Sequence, residues 1–171
     1  MKATKSSIKL RAGILTVSDR SSQGLREDTS GPELEQILRS RGFQTEWTAV
    51  VPDEEKSIQE MLVTWADQYQ ADLILTTGGT GLSPRDVTPE ATSAICHRLV
   101  PGMAEAMRAE SLKKTPHAMI SRAVAGVRGR TLIINLPGSP RGARENLEVV
   151  LPALEHAISK LQGDPSECAT P

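Results

Sequence analysis

Short apolar runs alternate with segments carrying an apolar stripe at helical spacing, which predicts an α/β fold: a single three-layer domain with a mainly parallel sheet and helices on both faces. The length agrees, since 171 residues suit one hydrophobic core. A third observation gives the fold a direction. Ser18-Asp19, Asp53, Gly78 to Gly81 and Asn135 to Ser139 each follow the end of a different predicted strand. In a parallel sheet such loops converge at the carboxyl edge, where these folds bind ligands.

The first strand is LRAGILTVS (10–18), mostly apolar and too short for a helix, as expected of a strand buried on both faces. Asp19 to Ser30 is polar and reads as a long loop. Ser30-Gly31-Pro32 then opens a helix with Leu34, Ile37 and Leu38 on one face and a stop at Gly42. Gln44 to Val51 is β-prone, and Asp53 is the expected N-cap of a helix presenting Ile58, Met61, Leu62, Trp65 and Tyr69. Leu73 to Thr76 is a strand running straight into Thr77-Gly78-Gly79-Thr80-Gly81. Thr88 as cap and Pro89 as first residue start another helix, and Pro101 to Leu112 forms a further one, broken by Lys113 to Pro116. Val124 to Val127 and Thr131 to Leu136 flank a turn at Arg128-Gly129-Arg130. The last helix carries Leu147, Val150, Leu151, Leu154, Ile158 and Leu161, with Pro152 as an expected kink or restart. Residues 1–7 read as a basic, solvated arm, 8–162 as the domain, and 163–171 as a flexible tail.

Composition narrows the function. The chain has 20 Lys and Arg against 21 Asp and Glu, a net charge of -1, so it lacks the basic footprint of a nucleic-acid binder. No apolar run approaches the ~18 residues of a membrane span. Phe43, Trp47, Trp65 and Tyr69 are the only aromatics, which leaves no platform for stacking bases. With Cys96 and Cys168 alone, neither a disulfide framework nor a thiolate metal site is expected, and a reducing cytoplasm is the default. His97, His117 and His156 show no metal-ligand spacing.

The glycine loop matches neither phosphate fingerprint: no G-x-x-x-x-G-K-[ST] occurs, and Pro84 stands where G-x-G-x-x-G requires its third glycine. Its glycines suit a tight turn or a cradle of backbone donors for an anion equally well. Asp53 and Asp86 are each ordinary helix-start residues taken singly. Together beside a glycine loop they are the equipment for holding Mg2+ with substrate phosphates. Arg85 precedes Asp86 as a partner for it. Lys113-Lys114, with Ser121-Arg122 further on, is locally cationic, a solvated turn or a grip for a phosphate. Asn135-Leu136-Pro137-Gly138-Ser139-Pro140 is a strand-to-helix connection and, through its N–H groups, an anion site.

Four stretches, LTVSDRSSQG, TGGTGLSPRDVTPEA, HAMISRAVAG and TLIINLPGSP, resemble the Mog/MoaB family of molybdenum-cofactor biosynthesis over about residues 8 to 162. INLPGSP is most similar to the molybdopterin adenylyltransferases and the gephyrin G domain. The resemblance implies transfer of AMP from ATP to the terminal phosphate of molybdopterin, dependent on Mg2+, with release of pyrophosphate. It also implies a cytoplasmic homotrimer and contact with a molybdenum-inserting protein. By position it implies Asp53 and Asp86 as catalytic, metal-holding carboxylates. Ser18, Asp19, Asp28, Gly78, Gly79, Thr80, Gly81, Arg85, Ser111, Ser121, Arg122, Asn135, Pro137, Gly138 and Ser139 become binding positions. The rival from a different class is a scaffold that binds the pterin without turnover.

Overall fold

A computed structural model describes residues 9–165, so the basic arm and all but the first residues of the expected tail lie outside the described residues. Six strands form one sheet in the order β2-β1-β3-β6-β5-β4: β1 is Arg11–Val17, β2 Gln44–Val51, β3 Leu73–Thr77, β4 Arg98–Leu99, β5 Ala125–Arg128 and β6 Thr131–Leu136. β2, β1, β3 and β6 run parallel, and β5 and β4 add an antiparallel edge. The expected mainly parallel sheet is therefore present.

Strand alternation sorts its side chains into two cores. Ile14, Leu73, Leu75, Leu132 and Ile134 face one way, toward α2 (Ser30–Ser40), α5 (Pro101–Leu112) and α6 (Pro140–Leu161). Leu15, Ile74 and Ile133 face the other, toward α3 (Glu55–Val63) and α4 (Thr88–Ile95). Both faces are covered, which is why these strands read as unbroken apolar runs. Each fully buried Leu or Ile contributes about 1.5–3 kcal/mol, so the two layers hold the sheet rigid beneath its loops.

Several local expectations change. Asp19 to Ser30 is not all loop: Asp19–Ser22 forms a helical turn, α1, whose cap Ser18 accepts from Ser21 N at 3.2 Å. Asp53 is not the cap of α3, because Glu54 occupies that position and the Asp53 carboxylate accepts a backbone bond from Asp19 instead. Thr88 lies inside α4, after Val87, and its hydroxyl donates to Gly78 O at 2.9 Å. α3 ends in a π-helical turn, Thr64–Gln68, that shifts the register of the stripe. Trp65 stays buried while Tyr69 is exposed and stacks on Trp47 at 5.4 Å. α6 continues through Pro152 without a restart. The two-residue β4 and the 3-10 turn Pro116–Ile120 are elements that no sequence period announces.

Candidate functional site

The parallel strands bring their following loops to one edge, as expected, and specific bonds fix them there. After β1 and β2 the two acidic loops cap each other: Asp19 N donates to Asp53 Oδ2 at 2.8 Å, and Asp53 N donates to Asp19 Oδ1 at 3.0 Å. Arg85, from the loop after β3, grips Asp19 with both Nε (2.9 Å) and Nη2 (2.8 Å). Its hydrogen bonds hold the Asp19 carboxyl below the usual carboxylate range. Burial pushes the Asp53 carboxyl up, helped by the neighbouring negative charges of Asp19 and Asp86. A bound cation would relieve that repulsion.

Close approach requires glycine in the loop after β3. Gly79 has φ +64°, and a Cβ there would lie 2.3 Å from Thr88 Oγ1 and 3.0 Å from Asp53 Oδ1. At Gly81 a Cβ would lie 2.9 Å from Asp86 Oδ2. The missing side chains thus let both carboxylates sit directly against the loop. Asp86 is itself set by a tight turn, with Ser83 N donating to its Oδ2 at 2.9 Å. The loop after β6 is tied down by Thr77 Oγ1 donating to Pro137 O at 2.7 Å and Ser30 Oγ donating to Gly138 O at 2.9 Å.

Two cavities open at this edge. The first, of about 300 Å3, is polar and is lined by Ser18, Asp28, Asp53, Gly78, Gly79, Asp86 and Gly138, among others. The second, of about 280 Å3, is lined by Thr80, Gly81, Ser111, Ser121 and Pro137 and has an apolar wall at Ala118 and Ile120. Ser139 lines both, at the N-cap of α6, where its Oγ accepts from Gly142 N at 3.2 Å. Of the expected site residues, Asp19 and Arg85 line neither cavity and instead brace the acidic loops. Asn135 is fully buried: its Nδ2 donates to Thr76 Oγ1 and Thr92 Oγ1, both at 2.9 Å, and its Oδ1 accepts from Val124 N. These bonds knit the sheet to α4, and Asn135 lines neither cavity. Arg122 also lines neither cavity, because its guanidinium turns into the glycine loop.

Lys114 of the cationic stretch is on the wall of the second cavity, and so are Arg108 and Asn146, which sequence reasoning missed. Arg108 Nη1 donates to Ala123 O at 2.8 Å, and Asn146 Nδ2 donates to Ser111 Oγ at 3.1 Å. A signal existed for both missed residues: Arg108 and Ser111 are three apart on α5, and Asn146 is a polar residue beside the apolar stripe of α6. Among the described residues no group of three or more His, Cys, Asp or Glu could hold a metal ion. Any cation held by Asp53 and Asp86 would have to take its remaining ligands from elsewhere, such as phosphate oxygens and water.

A family described as "probable molybdopterin binding domain" matches residues 13–156. The chain belongs to this family. Among its relatives, the chain is 43% identical over 157 residues to a molybdopterin adenylyltransferase of Helicobacter pylori, covering 91% of this chain and 89% of the relative. It is 48% identical over 163 residues to gephyrin of Dictyostelium discoideum, where it covers 90% of this chain but only 23% of that longer protein. In structure it superimposes on the molybdopterin biosynthesis enzyme MoaB of Thermus thermophilus with a TM-score of 0.86 and 55% identity, covering 92% of this chain and 99% of the other. The three-layer fold and the Mog/MoaB resemblance thus agree. No helix among the described residues is long and apolar enough to cross a membrane.

Proposed function

We propose that the chain is a molybdopterin adenylyltransferase, which transfers AMP from ATP to the terminal phosphate of molybdopterin. One observation carries the reading: the two cavities share the Ser139 wall and the glycine loop, so ligands filling them meet end to end. The polar cavity suits the nucleotide phosphates. The second, with its apolar wall and the cations Arg108 and Lys114, suits a pterin bearing a phosphate.

A phosphate oxygen of the pterin attacks the α-phosphorus of ATP, the bond from that phosphorus to the bridging oxygen breaks, and pyrophosphate leaves. The domain contributes position: it holds attacker and phosphorus about 3–3.5 Å apart in a site shaped before binding. Gly78 and Gly79 let the backbone approach the phosphates closely, and the N-terminus of α6 adds a favourable field for negative charge. Asp53 and Asp86 would hold Mg2+, which would supply charge neutralisation at the phosphates. The active form in this reading is a cytoplasmic homotrimer that passes its product to a molybdenum-inserting protein. Incubation of the protein with molybdopterin, ATP and Mg2+ tests it, with adenylylated pterin detected by mass spectrometry. Co-binding of pterin and a non-hydrolysable ATP analogue without product at any Mg2+ concentration would favour the scaffold.

A further inference from the structure

Arg122 lies in a basic stretch that reads as a solvated turn or a grip for a phosphate, and its guanidinium is bonded into the glycine loop. Nε donates to Gly81 O at 2.7 Å, Nη2 donates to Asp86 O at 2.6 Å, and Nη1 pairs with the Glu90 carboxylate. Its backbone N–H adds a bond to Thr80 O at 2.9 Å. One side chain thus fastens both ends of the segment from Gly81 to Asp86, and Glu90 on α4 sets the angle of the guanidinium. The neighbouring residues Ile120 and Ser121 line the second cavity, and Arg108 binds the carbonyl of Ala123 beyond it. Arg122 therefore joins the wall of one cavity to the backbone of Asp86, which lines the other.

We propose that Arg122 is a positioning residue for adenylyl transfer, fixing the Gly81 and Asp86 carbonyls so that the Asp86 carboxylate stays aligned between the two cavities. The inference rests on the adenylyltransferase reading for its rate consequence, but not for its structural one. Three acceptors from three residues lie around one planar fork, a geometry that a lysine ammonium cannot reproduce. Asp86 lies against Gly81 with no room for a Cβ between them, so movement of the Gly81 carbonyl moves the surface on which the carboxylate rests.

Arg122→Lys separates this role from direct pterin contact, because it keeps the charge and loses the fork. The expected result is a fall in kcat of about 10²-fold, as for a misplacement on the scale of an ångström. The KM for molybdopterin and its directly titrated Kd stay within about twofold, as expected when ground-state binding is untouched. Amide hydrogen exchange at Asp86, Thr88 and Ala91, whose N–H groups bond within or beside the clamped segment, quickens about tenfold or more, while β3 and β6 amides keep their protection. Should Arg122→Lys fail to fold, Glu90→Gln removes the charge of one acceptor and leaves the two carbonyl bonds, and the same amides should quicken by a smaller factor. Unchanged exchange in this segment overturns the proposal, as does a Kd for pterin raised about tenfold with kcat retained. If the wild-type protein forms no adenylylated pterin, the adenylyltransferase reading fails, and the exchange pattern still decides the role of Arg122.

Discussion

Replacing Gly79 with alanine tests whether the glycine loop is shaped by the acidic loop and helix beside it. Gly79 has φ +64°, a left-handed conformation that costs a residue with a Cβ about 1–2 kcal/mol. The new Cβ would also lie 2.3 Å from Thr88 Oγ1, a fully buried hydroxyl that donates to Gly78 O at 2.9 Å. Displacing that hydroxyl breaks a buried hydrogen bond, worth about 1–3 kcal/mol when a partner is left unpaired. Together the two effects cost about 2–5 kcal/mol. For a chain of this length that lowers Tm on the order of 10 °C. Gly129→Ala is the control, since it has φ +56° and no heavy atom within 4 Å of the would-be Cβ, so it incurs the conformational cost alone. Urea unfolding of both variants gives the difference, which isolates the contact with Thr88. The Cβ also presses on Asp53 Oδ1 at 3.0 Å, so the activity of Gly79→Ala should fall under conditions where the variant is fully folded. If Gly79→Ala is no less stable than Gly129→Ala, the loop yields freely and the argument from close approach is wrong.

Asp53→Asn should reduce turnover about 10²-fold or more while stabilising the protein at neutral pH. Burial raises the Asp53 carboxyl above its ordinary value of 3.8, so its stabilising protonated form is fully present below that value, and the stability is lost as pH rises through the higher folded value. Urea midpoints should thus favour the Asn variant at pH 7 and converge near pH 3; a variant less stable at pH 7 would refute this. Asn135→Ala leaves the hydroxyls of Thr76 and Thr92 and the N–H of Val124 without their partner and should cost about 2–4 kcal/mol in urea unfolding, with pterin affinity unchanged in the folded protein. Lost affinity at full stability would make Asn135 a ligand contact after all. ATP with Mg2+ together should raise Tm by more than the sum of either alone, because Asp53 and Asp86 complete a cation site only with phosphate oxygens; additive shifts in differential scanning fluorimetry would remove the metal from these two residues.

What was legible in the sequence is what is local or periodic. The strands of the sheet centre announce themselves because burial on both faces makes them continuous apolar runs, as in LILTT and TLIINL. Strand alternation with helices then forces the four loops to one edge, so the neighbourhood of Asp53, Asp86 and Ser139 followed from topology alone. The misassigned details share a different cause. Asp53 looks like a helix cap because caps bond within a turn, yet its partner is Asp19, 34 residues away. Arg122 looks like a free cation in a basic stretch, but its acceptors at Gly81 and Asp86 lie 41 and 36 residues earlier. Arg85, adjacent to Asp86 in sequence, pairs with Asp19 instead. A strand of two residues has no period to detect, and a π-helical turn changes the period itself, which is why Tyr69 left the stripe that Trp65 kept.

The same long-range bonds explain how a site with unfavourable parts is sustained. Left-handed glycines at positions 78 and 79 and a half-buried carboxylate facing two others are each costly. None could persist on a loop held only by its own turn chemistry. Here the acidic loops cap each other, Arg85 spans from Asp19 to the third loop, and Thr77 and Ser30 pin the fourth. These anchors descend directly from strands and helices whose apolar faces fill the two cores. The negative charge that accumulates around Asp53 is only partly offset, since Arg85, whose charge acts on it, is committed by hydrogen bonds to Asp19. In the proposed reading Asp53 and Asp86 are thus a fixed acidic pair that would hold a cation only when phosphate oxygens arrive to complete its shell.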